Sequence, residues 1–136
     1  MIAICVGPLP AEQVAQLRLE TAWEVIDPTA LQRALDNSLF CLSAREDEQL
    51  VGMVRASGDG ILYAHIQDLI VAQGHRGQGI AGRLLDAILH ELDAQLVHGS
   101  AIGLMAVAGL EGFYASRGFT ARPDGIYGAG MTRMRG

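Results

Sequence analysis

The sequence has no lysine, because all ten of its basic residues are arginine. This absence excludes Schiff-base chemistry and a phosphate loop of the Walker type, which requires a Gly-Lys-Ser/Thr segment. Fifteen acidic residues give a formal net charge of -5. We therefore expect neither nucleic acid nor an anionic membrane surface as a partner, because both are bound by basic faces. A mildly acidic protein is compatible with a cationic small-molecule ligand.

Cysteines, aromatic residues and long apolar runs are also scarce. Cys5 and Cys41 lie in apolar stretches without metal-site spacing, and we expect two buried free thiols rather than a disulfide. No signal peptide and no run of ~18 to 20 apolar residues is visible, so we expect a cytoplasmic protein. The 136 residues are half hydrophobic and only 5% aromatic, which predicts a single domain over 1–136 with an aliphatic core.

The first half of the chain predicts two helices among several strands. The elements are a strand Ile2–Val6, a helix Ala11 to about Thr21, a helix Pro28 to about Leu35, and strands Leu39–Arg45, Gln49–Ser57 and Ile61–Val71. Asp27 and Pro28 form a typical helix start. Short polar turns join the three later strands, which predicts an antiparallel meander.

The second half predicts a β-α-β-α unit. Apolar residues from Ile80 onward recur at the spacing of a helix that packs by one face, at Leu84, Leu85, Ile88, Leu89 and Leu92. A strand Ala101–Val107 and a helix Leu110–Arg117 follow, the latter closed by Gly118 as a left-handed cap. We expect one or two more strands within Phe119–Met134. The fold class is therefore a mixed α/β domain with a partly antiparallel sheet.

A glycine-rich segment between the third meander strand and the long helix carries the chemistry. Val71 to Arg83 reads Val-Ala-Gln-Gly-His-Arg-Gly-Gln-Gly-Ile-Ala-Gly-Arg. Glycines let the backbone approach an anion, and the free amides and dipole of a helix N-terminus stabilise negative charge. Arg76 could add a charge-assisted contact. The segment predicts a phosphate or pyrophosphate site.

Two other interpretations of these glycines are possible from the sequence alone. Gly77 to Gly82 also satisfies the G-x-G-x-x-G pattern of dinucleotide-binding folds. That pattern belongs to a parallel βαβ unit with an acidic residue at the end of its second strand, whereas here a meander precedes the loop and Ala101–Val107 ends without an acid. A glycine-rich turn without a ligand is the second alternative.

The chain resembles the GNAT superfamily of N-acetyltransferases at two places. Arg76-Gly77-Gln78-Gly79-Ile80-Ala81 matches that family's R/Q-x-x-G-x-G/A signature, and Phe113 to Phe119 is similar to its F-Y-x-x-x-G-F segment. The order of predicted elements also agrees. The chain departs from the family in lacking a proline near Gln73 and an asparagine around Ala108 or Gly109.

The resemblance implies that acetyl-CoA binds in a V-shaped opening between two splayed central strands, without a metal. The implied contacts are the pantetheine arm with Leu69, Ile70 and Val71, the pyrophosphate with Arg76, Gly77, Gln78, Gly79, Ile80, Ala81, Gly82 and Arg83, and further contacts from Phe113, Tyr114 and Arg117. Family members are often dimers, so the resemblance makes a homodimer an open expectation.

Two residues are candidates for proton transfer. The resemblance places Tyr114 as the acid that protonates the departing thiolate, and His65 where several family members keep a Glu or His that acts through water. An imidazole changes protonation near neutral pH, which suits a base. Packing of the Tyr114 ring and a structural histidine are the alternatives. Asp68 is expected on the opposite face of the strand, as a structural acceptor.

The acceptor pocket is expected between the first two helices and a late loop, as the resemblance suggests. Its candidate residues are Trp23, Glu24, Phe40, Tyr63, Gln67 and Tyr127. The predicted function is transfer of an acetyl group from acetyl-CoA to a small or peptide amine in a ternary complex. A non-catalytic acyl-CoA sensor and a nicotinamide-dependent oxidoreductase are the alternatives, and the sequence leaves the amine and the acyl chain length open.

Overall fold

The computed structural model describes residues 1–136 and contains five strands and four helices. These are β1 Ile2–Val6, α1 Ala11–Arg18, α2 Pro28–Asp36, β2 Phe40–Glu46, β3 Gln49–Gly58, β4 Tyr63–Val71, α3 Ile80–Gln95, β5 Ala101–Leu104 and α4 Glu111–Ala115. A single 3-10 turn, Gln73–His75, lies between β4 and α3. The mixed α/β fold predicted from the sequence is confirmed.

The five strands form one sheet in the order β1-β2-β3-β4-β5. β1 through β4 pair antiparallel with their neighbours in sequence, so the predicted meander is confirmed. By internal contacts the chain divides into two compact units, Met1–Ile102 and Gly103–Gly136. All residues of β1 to β4, α1, α2 and α3 lie in the first unit, and α4 lies in the second.

Both faces of the meander are covered by helices. Leu84, Leu85 and Ile88 of α3 are fully buried, as the helical spacing predicted. α3 comes close to β3 at Gly52, where an added Cβ would lie 3.2 Å from the Leu84 side chain. On the other face α1 and α2 share a hydrophobic cluster with the strands, which contains Val14, Leu17, Leu31, Leu35, Cys41, Met53 and Ile70.

β4 contains a bulge at Asp68 and Leu69. Met53 pairs with Ile70, and Arg55 pairs with Gln67. Asp68 and Leu69 of β4 therefore both lie opposite a single residue of β3. Asp68 has φ +55°, a left-handed conformation that Asp tolerates better than most residues. The expected orientation of Asp68 was wrong. Its carboxylate accepts from Arg55 Nε at 2.6 Å, on the face that Gln67 shares, because the bulge breaks the alternation.

Four further expectations need correction. Cys5 is exposed on the edge strand β1, whereas Cys41 is buried, and both thiols are free. Phe119–Met134 contains only an isolated bridge between Asp124 and Tyr127, because proline and glycines interrupt any strand pattern. β5 ends at Leu104 rather than Val107, and α1 ends at Arg18 rather than Thr21.

Candidate functional site

The glycine loop exposes its backbone to solvent. Gly77 and Gly79 have φ of +78° and +80°, which L side chains rarely adopt. An added Cβ at either position would meet no atom within 4 Å, so the glycines are required by backbone conformation and leave open space above the loop. A ligand can therefore approach the main chain directly.

The N-terminus of α3 has no side-chain cap. Gly79 occupies the N-cap position, and the first intrahelical bond runs from the Arg83 N–H to the Gly79 carbonyl at 3.1 Å. The amides of Ile80, Ala81 and Gly82 precede that bond and have no acceptor within the helix. These donors and the dipole of a 16-residue helix fit an anionic group such as a pyrophosphate.

Two arginines flank these amides and are anchored through main-chain carbonyls. Arg76 donates from Nε to the Val71 carbonyl at 3.0 Å, and Arg83 donates from Nη2 to the Ile2 carbonyl at 3.1 Å. Both side chains are exposed, and each keeps further guanidinium N–H groups for a ligand. The Val71 carbonyl, in the segment expected to pair with pantetheine, thus accepts one bond from Arg76 and has a second lone pair for a ligand. Gln78, also predicted to contact the cofactor, is exposed on the same loop.

The start of the glycine loop is held from two sides. The Glu20 carboxylate accepts the Gln73 main-chain N–H at 2.9 Å, and His75 Nε2 lies 3.4 Å from Glu46 Oε1. Glu20 belongs to the segment between α1 and α2, so this segment and the loop are directly connected. The sequence offered no signal for this contact, because the two residues are 53 positions apart.

The two predicted polar residues of β4 share one face of the sheet. His65 pairs with Ser57 across the strands and Gln67 pairs with Arg55. Gln67 Oε1 accepts the Ser57 hydroxyl at 2.7 Å, which fixes the Gln67 amide. His65 is half-buried on the face that α1 and α2 cover. Among the residues predicted to contact pantetheine, Ile70 is buried, while Leu69 and Val71 are half-buried.

An ion-pair network joins the β4 bulge to α1 and β3. Asp68 Oδ2 accepts from Arg55 Nε at 2.6 Å, and Asp68 Oδ1 lies 3.5 Å from Arg18 Nη1. The three side chains are only 16–17% exposed, and the single Asp68 carboxylate is shared by both guanidinium groups, so the network keeps one net positive charge. Ser38 accepts a further bond from Arg55 Nη1 at 3.2 Å. Arg18 was not among the site candidates identified from the sequence.

A cavity of about 310 Å³ lies between α1, α2 and the segment that joins them, and we name it the α1–α2 cavity. Its apolar lining consists of Ala15, Leu19, Trp23, Val25, Ile26 and Leu31. Arg18, Thr21 and Glu24 supply its polar groups. Arg18 donates to the Glu24 carbonyl at 3.3 Å, and its guanidinium lies 5.2 Å from the centre of the Trp23 ring. The predicted pair Trp23 and Glu24 therefore lies together in one cavity.

The other predicted pocket residues lie elsewhere. Phe40 lines a separate cavity of about 280 Å³, together with Leu39, Cys41 and the chain around Gly7. Tyr63 is exposed at the start of β4 and lines neither cavity. In the second unit, Tyr127 stacks under Arg122, whose guanidinium lies 4.3 Å from the ring centre.

The second unit surrounds Tyr114 with two aromatic rings. The centre of the Tyr114 ring lies 5.1 Å from that of Phe113 and 6.1 Å from that of Phe119, both edge-on. Gly118 has φ +90° and lets the Phe119 N–H return to the Tyr114 carbonyl at 3.3 Å, so the predicted left-handed cap is confirmed. Burial raises the pKa of the Tyr114 hydroxyl.

Arg117 is held against α4 in the same unit. Its guanidinium lies 4.6 Å from the centre of the Phe113 ring, and Nη1 lies 3.5 Å from the Phe113 carbonyl. Nowhere in the structure do three or more His, Cys, Asp or Glu side chains gather in a group that could hold a metal ion. None of the helices combines the length and apolar character that crossing a membrane would need.

Known proteins with the same fold and signatures are acetyltransferases. The family model described as an acetyltransferase (GNAT) domain matches residues 8–135. A probable acetyltransferase of Glycine max is 35% identical over 124 residues, a match that covers 83% of this chain and 49% of that protein. The chain thus spans about half the length of this relative, and between 35% and 64% of two others.

Solved structures agree on the fold. A probable acetyltransferase from meticillin-resistant Staphylococcus aureus superposes with a TM-score of 0.88 at 23% identity, covering 99% of this chain and all of that one. A predicted acetyltransferase of Clostridium acetobutylicum, solved with acetyl-CoA, has a TM-score of 0.73 at 20% identity and covers 93% of this chain and 94% of its own. The resemblance seen at Arg76–Ala81 and Phe113–Phe119 is therefore confirmed, and the chain belongs to the GNAT family of acetyltransferases.

Proposed function

We propose that the protein transfers an acetyl group from acetyl-CoA to a primary amine, by direct attack within a ternary complex. The observation that carries this proposal is the uncapped N-terminus of α3, where left-handed Gly79 leaves the amides of Ile80, Ala81 and Gly82 open to an anion. Membership of the GNAT family supports acetyl-CoA as the acetyl donor. Its pyrophosphate would be the anion that binds these amides. We take residues 1–136 as one N-acetyltransferase domain.

The residues present fit such a donor. The pyrophosphate would bind the α3 amides, with the remaining guanidinium N–H groups of Arg76 and Arg83 beside it. Ile70 and Val71 pair with Met53 and Gly52 on the side that faces β3, so the pantetheine arm is proposed to pair with main-chain groups of Leu69 to Val71 that point away from β3. Phe113 and Arg117 are proposed as further contacts, on the family resemblance of the segment that contains them.

The reaction requires the site to remove protons from the amine and to supply one to the thiolate. An alkyl amine with pKa near ~10.4 is protonated at pH 7, and neutralising it costs about 4.6 kcal/mol. Once neutral, the amine nitrogen attacks the thioester carbonyl carbon, the C–N bond forms, and the C–S bond breaks. The nitrogen gives up a second proton, and the departing thiolate takes one. The products are an N-acetyl amide and free CoA, with one net proton released.

His65 and Tyr114 are the proposed base and acid. His65 lies half-buried on β4, three residues before the bulge residue Asp68, and would accept the amine protons through water. Burial raises the pKa of Tyr114, so the hydroxyl is protonated at neutral pH and can supply the proton for the thiolate. A neutral donor is what this step requires, because a phenolate has no proton to give.

Calorimetric titration tests the donor first. We expect saturable binding of acetyl-CoA, weaker binding of dephospho-CoA, and no binding of NAD. Release of free CoA in the presence of an amine panel then tests transfer. Saturable binding without CoA release from any amine would contradict the enzymatic proposal and favour a non-catalytic acyl-CoA sensor. Binding of NAD in preference to acetyl-CoA would contradict both.

A further inference from the structure

We infer that β1 is a dimerisation surface, and that it pairs with β1 of a second copy of this chain, antiparallel about a two-fold axis at Cys5. The inference is independent of the proposed acetyl transfer. β1 forms one edge of the sheet and pairs only with β2. The strand Ile2–Val6 contains no charged residue and no proline, and no bulge interrupts its pairing. Charges, prolines and bulges are the usual protection of an edge strand, so β1 is open to a further strand.

Two residues of β1 direct unpaired main-chain groups away from β2. The Gly7 N–H donates to the Cys41 carbonyl of β2 at 2.9 Å, so Gly7 and, two residues earlier, Cys5 bond to β2. The direction of these bonds alternates along an antiparallel pair. The N–H and C=O groups of Ile4 and Val6 therefore point to the open edge, and neither residue has a main-chain hydrogen bond elsewhere in the protein.

An antiparallel pair centred on Cys5 satisfies all of these groups. In that register Ile4 of each copy lies opposite Val6 of the other copy, and the two residues exchange both N–H···O bonds. Their side chains then lie side by side on one face of the joined sheet. Val6 is 51% exposed in the single chain, so the pairing covers apolar surface as well as main-chain groups.

The residues at the two ends of β1 favour this register over its neighbours. With the axis at Cys5, Ile2 lies opposite Pro8, which has no N–H to donate. The Ile2 carbonyl needs no such donor, because it already accepts from Arg83 Nη2 at 3.1 Å. Moving the axis to Ile4 would bring a donor of the second copy against the carbonyl where the Arg83 guanidinium lies. Moving it one residue the other way would set Ile4 opposite Pro8 and leave the Ile4 carbonyl without a donor.

Cys5 allows a covalent test of the register. Because its main-chain groups bond to β2, the two copies of Cys5 would form a non-hydrogen-bonded pair, with Cα atoms ~4.5 Å apart. A disulfide joins Cα atoms ~4.4 to 6.8 Å apart. Cys5 is exposed and its thiol is free, whereas Cys41, the other cysteine, is buried. The two Cys5 thiols can therefore form a disulfide when an oxidant removes two electrons and two protons.

The dimer is expected to be weak. A stable interface covers about 800 Å² on each partner, whereas β1 offers the edge of one short strand. Oxidative cross-linking is therefore the more sensitive measurement, because a disulfide traps pairs that are populated only transiently.

Diamide cross-linking of the full chain tests the surface and the register together. Diamide takes up the two electrons and two protons and becomes the corresponding hydrazine, and the product is a covalent dimer of the 14.5 kDa chain. The double variant Ala3→Cys, Cys5→Ser is the matched control, because Ala3 is also exposed on β1 but would lie opposite Gly7 of the second copy. We expect the parent to cross-link about tenfold faster or more, because pairing raises the effective concentration of its thiols.

Val6→Pro tests the hydrogen bonds without the thiol. The Val6 N–H points away from β2, so proline removes a donor from the proposed interface and none from the β1–β2 ladder. Val6→Ala is the matched control, because it shortens the same side chain and keeps the N–H. In sedimentation equilibrium of the reduced proteins, we expect the dimer Kd of Val6→Pro to exceed that of Val6→Ala about ten- to a hundredfold, since each copy loses one bond. Thermal unfolding checks that both variants are folded.

The outcomes separate this surface from others. Rapid Cys5 cross-linking together with a dimer that Val6→Pro weakens supports the inference. Equal cross-linking rates for the parent and the double variant indicate random collision and overturn it, and faster cross-linking of the double variant overturns the register. A dimer that Val6→Pro leaves as strong as Val6→Ala forms through another surface and also overturns the inference. If Val6→Pro does not fold, the cross-linking comparison decides, because it changes side chains alone.

Discussion

The Glu20 carboxylate accepts the main-chain N–H of Gln73 at 2.9 Å, so the segment between α1 and α2 is connected to the 3-10 turn at the start of the glycine loop. The same segment begins just after Arg18, which is paired with Asp68 in β4. The segment between α1 and α2 is thus connected both to the glycine loop and, through Arg18, to β4. A displacement of this segment should therefore change the position of the glycine loop.

Glu20→Ala is therefore expected to weaken binding of acetyl-CoA. Loss of the bond to Gln73 releases the 3-10 turn that precedes the glycine loop. We expect the Kd of acetyl-CoA to rise about three- to tenfold, which corresponds to one hydrogen bond. Calorimetry measures this value. Glu12→Ala, at an exposed glutamate of α1, serves as the control. Equal affinities for the two variants would show that the Glu20 bond does not position the loop.

Gly79→Ala should weaken acetyl-CoA binding through backbone strain. At φ +80° an L side chain costs about 1 to 2 kcal/mol, which corresponds to about a five- to thirtyfold rise in Kd if the loop relaxes away from this conformation. Gly74→Ala is the matched control, because Gly74 lies in the same loop without positive φ and with equally open space. If both variants bind acetyl-CoA like the parent protein, the α3 N-terminus is not the pyrophosphate site.

Tyr114→Phe should lower kcat by about a hundredfold or more, the usual contribution of a general acid, and leave the Kd of acetyl-CoA within about twofold. Tyr127→Phe, in the same unit, should leave kcat unchanged. The proposed role of Tyr114 as acid fails if the two variants are equally active.

The pH profile gives a second test of Tyr114. Because burial raises the pKa of its hydroxyl, the acid form persists from low pH to beyond the ordinary tyrosine value of about 10. Deprotonation of Tyr114 should therefore not reduce kcat at any pH below about 10, and its effect should appear only above that value. A fall in kcat near pH 8 or 9 that Tyr114→Phe removes would contradict the raised pKa.

Asp68→Ala should destabilise the protein more than Asp47→Ala. Both residues have left-handed backbone, with φ of +55° and +53°, so the cost of alanine in that conformation is common to the two. Asp68 alone pairs with Arg55 and Arg18, whereas Asp47 is exposed in the β2–β3 turn. We expect the free energy of unfolding to fall about 1 to 3 kcal/mol further for Asp68→Ala, as urea denaturation would show. A difference near zero would mean that the network contributes nothing to stability.

Periodicity was sufficient to predict the meander, α3 and the loop before it. These elements depend on local patterns, such as the apolar spacing from Ile80 to Leu92, and the cap after α4 depends in the same way on the positive φ that Gly118 permits. Phe119–Met134 was wrongly expected to form strands, because its scattered apolar residues carry no alternation through Pro123 and Gly125.

The bulge and the α1–α2 cavity were beyond sequence reasoning for a different reason. A bulge shifts the pairing by one residue, and in β4 its position coincides with Asp68, which is held by Arg18 and Arg55 from other elements. Such a position is chosen by tertiary partners rather than by the strand's own residues. The same holds for the cavity, whose polar groups depend on where Arg18 points.

The close approach of α3 to β3 at Gly52 has a consequence for the whole loop. An added Cβ there would lie 3.2 Å from both the Leu84 side chain and the Ile70 carbonyl, and 3.3 Å from Ala44. Leu84 is the fifth residue of α3, little more than one turn from the amides of Ile80 to Gly82. The absence of a side chain at Gly52 therefore allows the short distance between the first turn of α3 and the sheet. A larger residue at Gly52 would displace the N-terminus of α3 and so change its affinity for an anion.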